Sequence, residues 1–435
     1  MPMVNNTDVI AYKNVPRFRI SSLMLVWLLS LGFYFHQYMF RIIPSIAVPA
    51  MNDSGSAHLS SVQFNVVLFI FWIAFVCFQP VAGLIINRLS YLLTLLVVLL
   101  LHIIAILLLA SSRDFYVMSL ALLLMGIASS FALVFSLFVA KKLFKQTLYP
   151  LASGLIFGLG GVAAILASLL FMPLSKTYGP SYALQLFTVI PSILAITMLI
   201  LLFFQIRHGE PITHPIDHIG LTEQSTHSHA TNHPNLAKSY AYVLFHGLPM
   251  VSFYSSWLLP FMSDKLGASN IYAKSSTAAV FVGYIIGSPF AGWLTTTFYQ
   301  TRSILLTYVS GLGLFISALV IYSPTNNVTT LLLLCFLGVV SGFIVTSVSI
   351  TADLAPAEKQ SFALSINSVC SNLGGALALL FIAGLFKWFD MSSLYPDLKE
   401  FHIMLFLIPL SYGIAMCIGF SMIKSERTVT NESSI

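Results

Sequence analysis

The sequence predicts an all-α, polytopic membrane protein with twelve transmembrane helices in two parallel six-helix repeats. Three observations lead to this prediction. The composition is 58% hydrophobic and only 8% charged, with a mean hydropathy of +0.91 over 435 residues, whereas soluble domains carry about 25% charged residues. Long apolar segments recur along the whole chain. Two short motifs of the first half also recur in the second half at nearly the same offset.

Twelve apolar segments are each long enough to cross a bilayer as a helix, which takes about 20 residues. They are called spans 1 to 12 in chain order, and they cover residues 21–48, 62–87, 90–111, 115–140, 149–174, 181–205, 240–262, 275–298, 303–323, 329–351, 362–387 and 401–423. All four cysteines lie inside these spans, at spacings that indicate neither a disulfide framework nor a metal site. No cofactor is expected.

The two halves of the chain repeat each other. Pro-x-Ala-Gly occurs at 80–83 and again at 289–292, near the ends of spans 2 and 8. Lys-Gln followed by Leu-Gly-Gly occurs within 145–161 and again within 359–375, leading into spans 5 and 11. The offsets are 209 and 214 residues. Six spans is an even number, so both copies enter the membrane from the same side, which predicts a substrate site near the midplane between the halves.

The predicted domains are an N-terminal six-helix bundle at 1–205, a linker at 206–239 and a C-terminal six-helix bundle at 240–435. Lys and Arg collect on the cytoplasmic side of membrane proteins, and with both termini inside they number thirteen on that side and six on the other. We therefore expect a multi-pass protein of the inner, cytoplasmic membrane. Because these basic residues are scattered over short loops, the net charge of +6 indicates topology rather than nucleic-acid binding.

The linker is polar and rich in histidine. Its histidines are His208, His214, His218, His227, His229 and His233. Imidazole groups can bind a metal ion, but neither a predicted helix nor a cysteine fixes their geometry here. A flexible, solvated linker is therefore the preferred interpretation.

Span 1 contains the strongest candidate for a binding site. Arg41 lies within it, and a guanidinium inside a membrane helix costs about 2.5–3.5 kcal/mol unless it faces protein or water. Tyr34, Tyr38 and Arg41 follow i, i+4, i+7 and would share one face of a continuous helix, with Gln37 beside them. This stripe predicts a binding face for an anionic or zwitterionic solute. An arginine that snorkels to the interface is the alternative, but it needs none of these neighbours.

The second repeat is expected to supply the rest of the site. In span 7, Tyr254 and Trp257 could contact the solute, with Trp257 stacking on an apolar or ring-bearing part of it. The alternative for Trp257 is an aromatic residue at the membrane interface or plain helix packing. In span 11, Asn367 and Asn372 are polar enough to line a cavity. The alternative is an interhelical hydrogen bond, which is worth about 0.6 kcal/mol in a membrane.

Proton coupling would have to use a histidine or an acid at the end of a helix, because no Asp or Glu lies deep in a span. Histidine titrates near neutral pH. His36 in span 1 and His246 in span 7 are the proton-coupling candidates, and His102 in span 3 is a further histidine within a span. A lone histidine on an apolar helix is more often a packing residue, and facilitated diffusion without protons remains the alternative.

Twelve spans, a six-plus-six repeat and a central loop resemble the major facilitator superfamily. This family has a signature in the loop between spans 2 and 3. It consists of a Gly, an Asp-Arg pair, a second Gly and basic residues. Here Gly83 and Arg88 are present, whereas Asn87 replaces the acid and Ser90 replaces the second Gly. In the second half only Arg302 remains of this charge pattern. The resemblance implies a transporter of a small solute that works by alternating access.

Three segments resemble, more closely, the phagosomal nutrient transporters of intracellular gammaproteobacteria. They are Gln-Tyr-x-x-Arg-x-x-Pro-Ser at 37–45, Trp-Leu-Leu-Pro-Phe at 257–261 and Phe-Val-Gly-Tyr-Ile-Ile-Gly-Ser-Pro at 281–289. That resemblance implies uptake of amino acids and nucleosides. The Tyr-x-x-Arg also resembles the organophosphate:phosphate antiporters, but their second arginine has no counterpart in span 7. One cation suits a single carboxylate better than a phosphate ester.

Together these patterns predict a monomeric secondary transporter that takes up an amino acid, a similar monocarboxylate or a nucleoside, with proton symport as one option. The chain has no ATP-binding loop, and no nucleophile–base pair or metal cluster stands at the spacing an enzyme needs. The first alternative is efflux of a drug, siderophore or metabolite. The second is a non-transporting membrane sensor on the same fold, which the weakened loop signature suggests.

Overall fold

A computed structural model describes residues 17–55, 59, 61–207, 234–267, 271–298, 301–388 and 398–432. This part of the chain is helical, with short connections between the helices and no strand. The predicted all-α class is confirmed. Histidines 208 to 233 of the linker, and with them the question of a metal site there, lie outside the described residues.

Every predicted span is occupied by helix. In the first repeat the helices are Arg17–Met39 and Ile43–Asp53 in span 1, Ser61–Arg88 in span 2, Tyr91–Ser111 in span 3, Phe115–Leu143 in span 4, Tyr149–Tyr178 in span 5, and Pro180–Leu186 and Val189–Arg207 in span 6. In the second repeat they are Pro234–Pro249, the π-helix Met250–Trp257 and Leu258–Leu266 in span 7, Ile271–Thr297 in span 8, Arg302–Tyr322 in span 9, Asn327–Gly342 and Ile344–Leu354 in span 10, Gln360–Trp388 in span 11, and Leu398–Leu405 and Leu407–Glu432 in span 12.

Ten of the twelve spans are long and apolar enough, within the described residues, to cross a membrane. Spans 7 and 11 are the other two, and both are helical where they were predicted. Among these ten, span 4 has the largest buried share, since 83% of its 18-residue apolar window lies inside the protein. The twelve-helix prediction therefore agrees with the structure.

The contacts between helices divide the chain into two compact units. Unit 1 comprises Met1–Leu143, Ser168–Asn232 and Pro356–Phe362, and unit 2 comprises the segments Phe144–Ala167, His233–Ala355 and Ala363–Ile435. The predicted domain boundaries at 205 and 240 stay a prediction.

Helix packing inside the two units follows the same plan. In unit 1, span 2 packs against span 4, span 3 against span 6, and span 1 against span 4. In unit 2, span 8 packs against span 10, span 9 against span 12, and span 7 against span 10. Each pair in unit 2 is a pair of unit 1 moved on by six spans, as parallel repeats require.

A glycine marks the closest approach in two of these equivalent pairs. A Cβ added to Gly126 in span 4 would stand 2.5 Å from the carbonyl oxygen of Phe71 in span 2. A Cβ added to Gly338 in span 10 would meet the carbonyl oxygen of Val280 in span 8 in the same way. Small residues let membrane helices pack backbone to backbone, so both contacts need glycine.

Span 1 is not the continuous helix that we predicted. Its first helix ends at Met39 and its second begins at Ile43, with a turn at residues 40–42 in which the amide of Arg41 donates to the carbonyl of Tyr38 at 3.2 Å. Pro44 explains the break, because proline lacks an N–H and its ring clashes with the carbonyl four residues earlier. Arg41 therefore lies in the turn, rather than on the helix face that carries Tyr34 and Tyr38.

Span 7 is irregular at the equivalent place in the second repeat. After Pro249 the chain forms the π-helix Met250–Trp257, in which each turn takes one extra residue. Residue 41 and residue 250 differ by the repeat offset of 209, so the first span of each repeat departs from the α-helix at the same level. The wider turn moves Tyr254 and Trp257 off the positions that α-helical spacing predicts.

Candidate functional site

The guanidinium of Arg41 lies over two aromatic rings of unit 1. Its Cζ atom is 4.4 Å from the centre of the Tyr38 ring and 4.5 Å from the centre of the Phe75 ring. Tyr34 packs edge-on against Tyr38, with ring centroids 5.6 Å apart. The structure therefore brings together three of the four residues predicted in span 1, and it adds Phe75 from span 2.

Polar atoms of Arg41, and of Gln37 in the same span, have unused hydrogen-bonding capacity. Nε and Nη2 of Arg41 are buried and have no hydrogen-bond partner, and the same holds for both amide atoms of Gln37, a side chain with no exposed surface. Leaving such a group unpaired costs about 1–3 kcal/mol. Nε–H and Nη2–H together form the fork that binds carboxylates with two parallel hydrogen bonds. The cluster can thus accept an anionic group.

His36 lies on the same helix and belongs to a second cluster in unit 1. Its Nε2–H donates to the carbonyl oxygen of Phe187 at 2.7 Å, in the turn between the two helices of span 6. Because this bond fixes the proton on Nε2, Nδ1 carries the lone pair, and Nδ1 is buried without a partner. The His102 ring stands edge-on to His36 with centroids 5.4 Å apart, and neither of its nitrogens has a hydrogen-bond partner.

In unit 2, His246 uses both ring nitrogens. Its Nε2–H donates to the carbonyl oxygen of Val340 at 3.2 Å, and Nδ1 is 3.1 Å from the hydroxyl of Tyr242. The Tyr242 ring also stacks on the imidazole, with centroids 5.1 Å apart. The two proton-coupling candidates therefore have different surroundings, since only His36 keeps a free basic nitrogen.

The two predicted aromatic residues of span 7 contact span 12. The hydroxyl of Tyr254, which is buried, lies 3.1 Å from the hydroxyl of Tyr412. The Trp257 ring meets the ring of Phe401 edge-on, with centroids 6.2 Å apart, and Trp257 is only partly buried. Trp257 thus keeps exposed ring surface, whereas the Tyr254 hydroxyl is already engaged.

The two asparagines of span 11 also have partners within unit 2. The amide nitrogen of Asn367 donates to the hydroxyl of Thr351 at 2.8 Å and to that of Ser347 at 3.3 Å, both in span 10. The amide nitrogen of Asn372 donates to the carbonyl of Ser368, in its own helix, at 2.8 Å. For Asn367 this is the interhelical hydrogen bond that we gave as the alternative.

Two features escaped the sequence analysis. Phe75 carries no motif, and nothing in span 2 connects it with Arg41. Arg302 and Asp353 form an ion pair, with Nη1 and Oδ2 2.6 Å apart, between the start of span 9 and the end of span 10. Both residues were visible in the sequence, but their pairing depends on helix packing across 51 residues.

The sequence matches a known protein family, and the fold matches solved structures. The sequence profile described as Major Facilitator Superfamily matches residues 26–258 and 240–430. A solved bacterial homologue of the iron transporter ferroportin, in an outward-facing state, has 15% identity and a TM-score of 0.66, over 92% of this chain and 98% of that one. A variant of the E. coli fucose:proton symporter, FucP, has 13% identity and a TM-score of 0.62, over the same shares. These likenesses show the fold alone. Curated protein sequences give no match.

Proposed function

Because the chain belongs to the Major Facilitator Superfamily, we propose that it takes up a small organic nutrient by alternating access. The proposed substrate is an amino acid or a similar monocarboxylate. Nucleosides are the second class, which the resemblance to phagosomal nutrient transporters implies. The transport is secondary, and the protein works as a monomer in the inner membrane with both termini in the cytoplasm.

One observation carries this proposal, namely the buried and unpaired hydrogen-bonding edge of Arg41. A guanidinium within a span is costly, and here it meets no carboxylate among the described residues. A solute with an anionic end would supply the missing acceptor. Binding would then satisfy Nε–H and Nη2–H together, which favours a group with two coplanar oxygens.

Gln37 adds a second point of recognition to the proposal. Its amide offers both a donor and an acceptor, and neither is used. The acceptor could bind the ammonium of an amino acid, while the donor could bind a hydroxyl or carbonyl. With one cation and one neutral amide, the cluster suits a monocarboxylate better than a phosphate ester, which carries more negative charge.

The proposal assigns smaller parts to the second repeat. Trp257 offers exposed ring surface for stacking on an apolar part of the solute, and the half-buried Asn372 offers an amide. Tyr254 and Asn367 would shape the site without contacting the solute, because the hydroxyl of Tyr254 and the amide nitrogen of Asn367 already have partners. Proton coupling is assigned to His36 before His246, because His36 keeps a free basic nitrogen.

Uptake of a labelled panel of L-amino acids and nucleosides tests this proposal in transport-deficient cells. The wild type is compared with Arg41→Gln, and with Arg113→Gln as the matched control because Arg113 is exposed in the loop after span 3. Arg41→Lys keeps the positive charge but lacks the two parallel N–H donors of the guanidinium. It therefore tests whether the geometry of these donors is needed for uptake. We expect saturable uptake of one amino acid, lost in Arg41→Gln, reduced in Arg41→Lys and unchanged in Arg113→Gln.

Other outcomes would overturn parts of the proposal. Uptake that survives Arg41→Gln, in a protein that reaches the membrane, would remove Arg41 from the site. Export of a preloaded solute would favour the efflux alternative. Binding of a panel compound without any flux in sealed vesicles would favour the sensor.

A further inference from the structure

Arg41 is stabilised inside unit 1 by two ring faces rather than by an opposite charge. Tyr38 comes from its own span, but Phe75 comes from span 2, and the two ring centres lie 4.4 and 4.5 Å from Cζ. An aromatic face attracts a cation through its quadrupole, and the attraction is strongest where water is excluded. The pair of rings is called the aromatic clamp below.

Both rings of the aromatic clamp are held by further aromatic contacts. Phe75 is fully buried, its ring lies parallel to that of Phe71 with centroids 6.2 Å apart, and Trp72 meets it edge-on at 5.8 Å. Tyr38 is supported by Tyr34. Neither ring can swing away from Arg41 without disturbing these contacts, so the position of the guanidinium is set by packing.

The aromatic clamp stabilises the charge and leaves its donors available. A carboxylate beside Arg41 would also stabilise the cation, but it would occupy the N–H groups that a solute needs. Ring faces attract the cation through their quadrupoles and do not take the place of a carboxylate at its N–H edge. Nε and Nη2, which form that edge, are the atoms without a partner.

We propose that Phe75 is a positioning residue, whose ring holds the guanidinium of Arg41 in the orientation that receives the anionic end of the solute. This inference rests on the proposed function, since it takes Arg41 as the group that contacts the solute. The electron density of the Phe75 ring, and not its volume alone, then sets the affinity for the solute.

The test replaces Phe75 in the full-length protein with phenylalanines that carry one, two and three ring fluorines. Fluorine withdraws electron density from the ring with little change in volume. Each step is expected to lower the midpoint of thermal unfolding and to raise the solute concentration for half-maximal uptake, by about three- to thirtyfold over the series, with Vmax unchanged. The same series in an Arg41→Gln background should show no stepwise fall in the midpoint.

Matched controls separate the positioning role from packing. Phe135 is a buried phenylalanine in span 4 that packs on Tyr91, and its fluorination should leave half-saturation unchanged. Phe75→Leu, which keeps an apolar side chain but has no ring face, should raise the solute concentration for half-maximal uptake. An equal fall in the midpoint with and without Arg41 would overturn the inference. If the solute concentration for half-maximal uptake stays the same across the fluorinated Phe75 variants, the positioning role of Phe75 is overturned and the proposed function is left intact. Absence of any uptake in the wild type would overturn the proposed function, and the thermal series would still decide on the aromatic clamp.

Discussion

His36 and His246 lie in the first spans of the two repeats, 210 positions apart and so one position off the repeat offset of 209, and each binds a backbone carbonyl near a break in another helix. Nε2 of His36 is 2.7 Å from the oxygen of Phe187 in the turn of span 6. Nε2 of His246 is 3.2 Å from the oxygen of Val340, in the last turn of the first helix of span 10. The carbonyl of Val340 also accepts from the amide of Phe343 at 3.1 Å, so His246 adds a second donor to a carbonyl near the end of that helix.

The first prediction follows from the difference between these histidines at Nδ1. His36→Gln should weaken the dependence of uptake on pH, because it removes the free basic nitrogen. His246→Gln should keep that dependence and lower thermal stability, because Tyr242 and Val340 each lose one of their hydrogen bonds. Uptake at graded pH and thermal unfolding in detergent check the two outcomes. An unchanged pH profile in His36→Gln would contradict proton coupling through this residue.

The second prediction concerns the packing of span 8 against span 10. Gly338→Val should sharply reduce the yield of folded protein, because any side chain there meets the backbone of Val280 and overpacking costs about 1–3 kcal/mol or more. Gly311→Ala is the control, since its Cβ would meet only the sulfur of Met416, at 3.2 Å. Size-exclusion profiles after mild heating measure the difference. Equal profiles for the two variants would argue against the close approach.

The third prediction concerns the ion pair of Arg302 and Asp353. Their side chains are 13% and 5% exposed, and removal of one partner of a buried pair costs about 3–5 kcal/mol. Arg302→Gln and Asp353→Asn should each destabilise the protein strongly. The double variant should be more stable than the sum of the single effects predicts. A double-mutant cycle on the unfolding midpoint measures this coupling, and strictly additive effects would contradict it.

The fourth prediction separates stability from binding at Asn367. Asn367→Leu should lower thermal stability, because Thr351 and Ser347 lose a donor. The solute concentration for half-maximal uptake should change less than twofold in the protein that does fold. Asn372→Leu is the comparison, since its amide bonds only to its own helix among the described contacts. A large rise in the solute concentration for half-maximal uptake in Asn367→Leu would indicate that Asn367 contacts the solute directly.

The features of the fold that could be predicted are those that depend on local sequence. Apolar length located the spans, and the spacing of the repeated motifs indicated the six-plus-six plan. Arg41 stood out because a charge within an apolar run is costly unless it faces protein or water. Pro44 indicates a break in span 1. The break was not predicted, because the helical spacing from Tyr34 to Arg41 suggested a continuous helix.

The partners of the candidate site could not be predicted, because they come from other helices. Phe75 is 34 residues from Arg41, and His102 is 66 residues from His36. Helical periodicity tells which residues share a face of one helix, and it carries no information about which face of another helix meets it. In span 7 even the single-helix pattern failed, because the π-helix after Pro249 changes the spacing.

The aromatic clamp also has an electrical consequence. Two neutral rings leave Arg41 with its full positive charge, and the membrane voltage acts on a charge with about 2.3 kcal/mol per 100 mV for a complete crossing. A carboxylate bound to Arg41 would cancel that charge. At this position the carrier would then respond to voltage when empty and be electrically silent when loaded with a single carboxylate. The return of the empty carrier, rather than the inward step, would be the voltage-dependent half of the cycle.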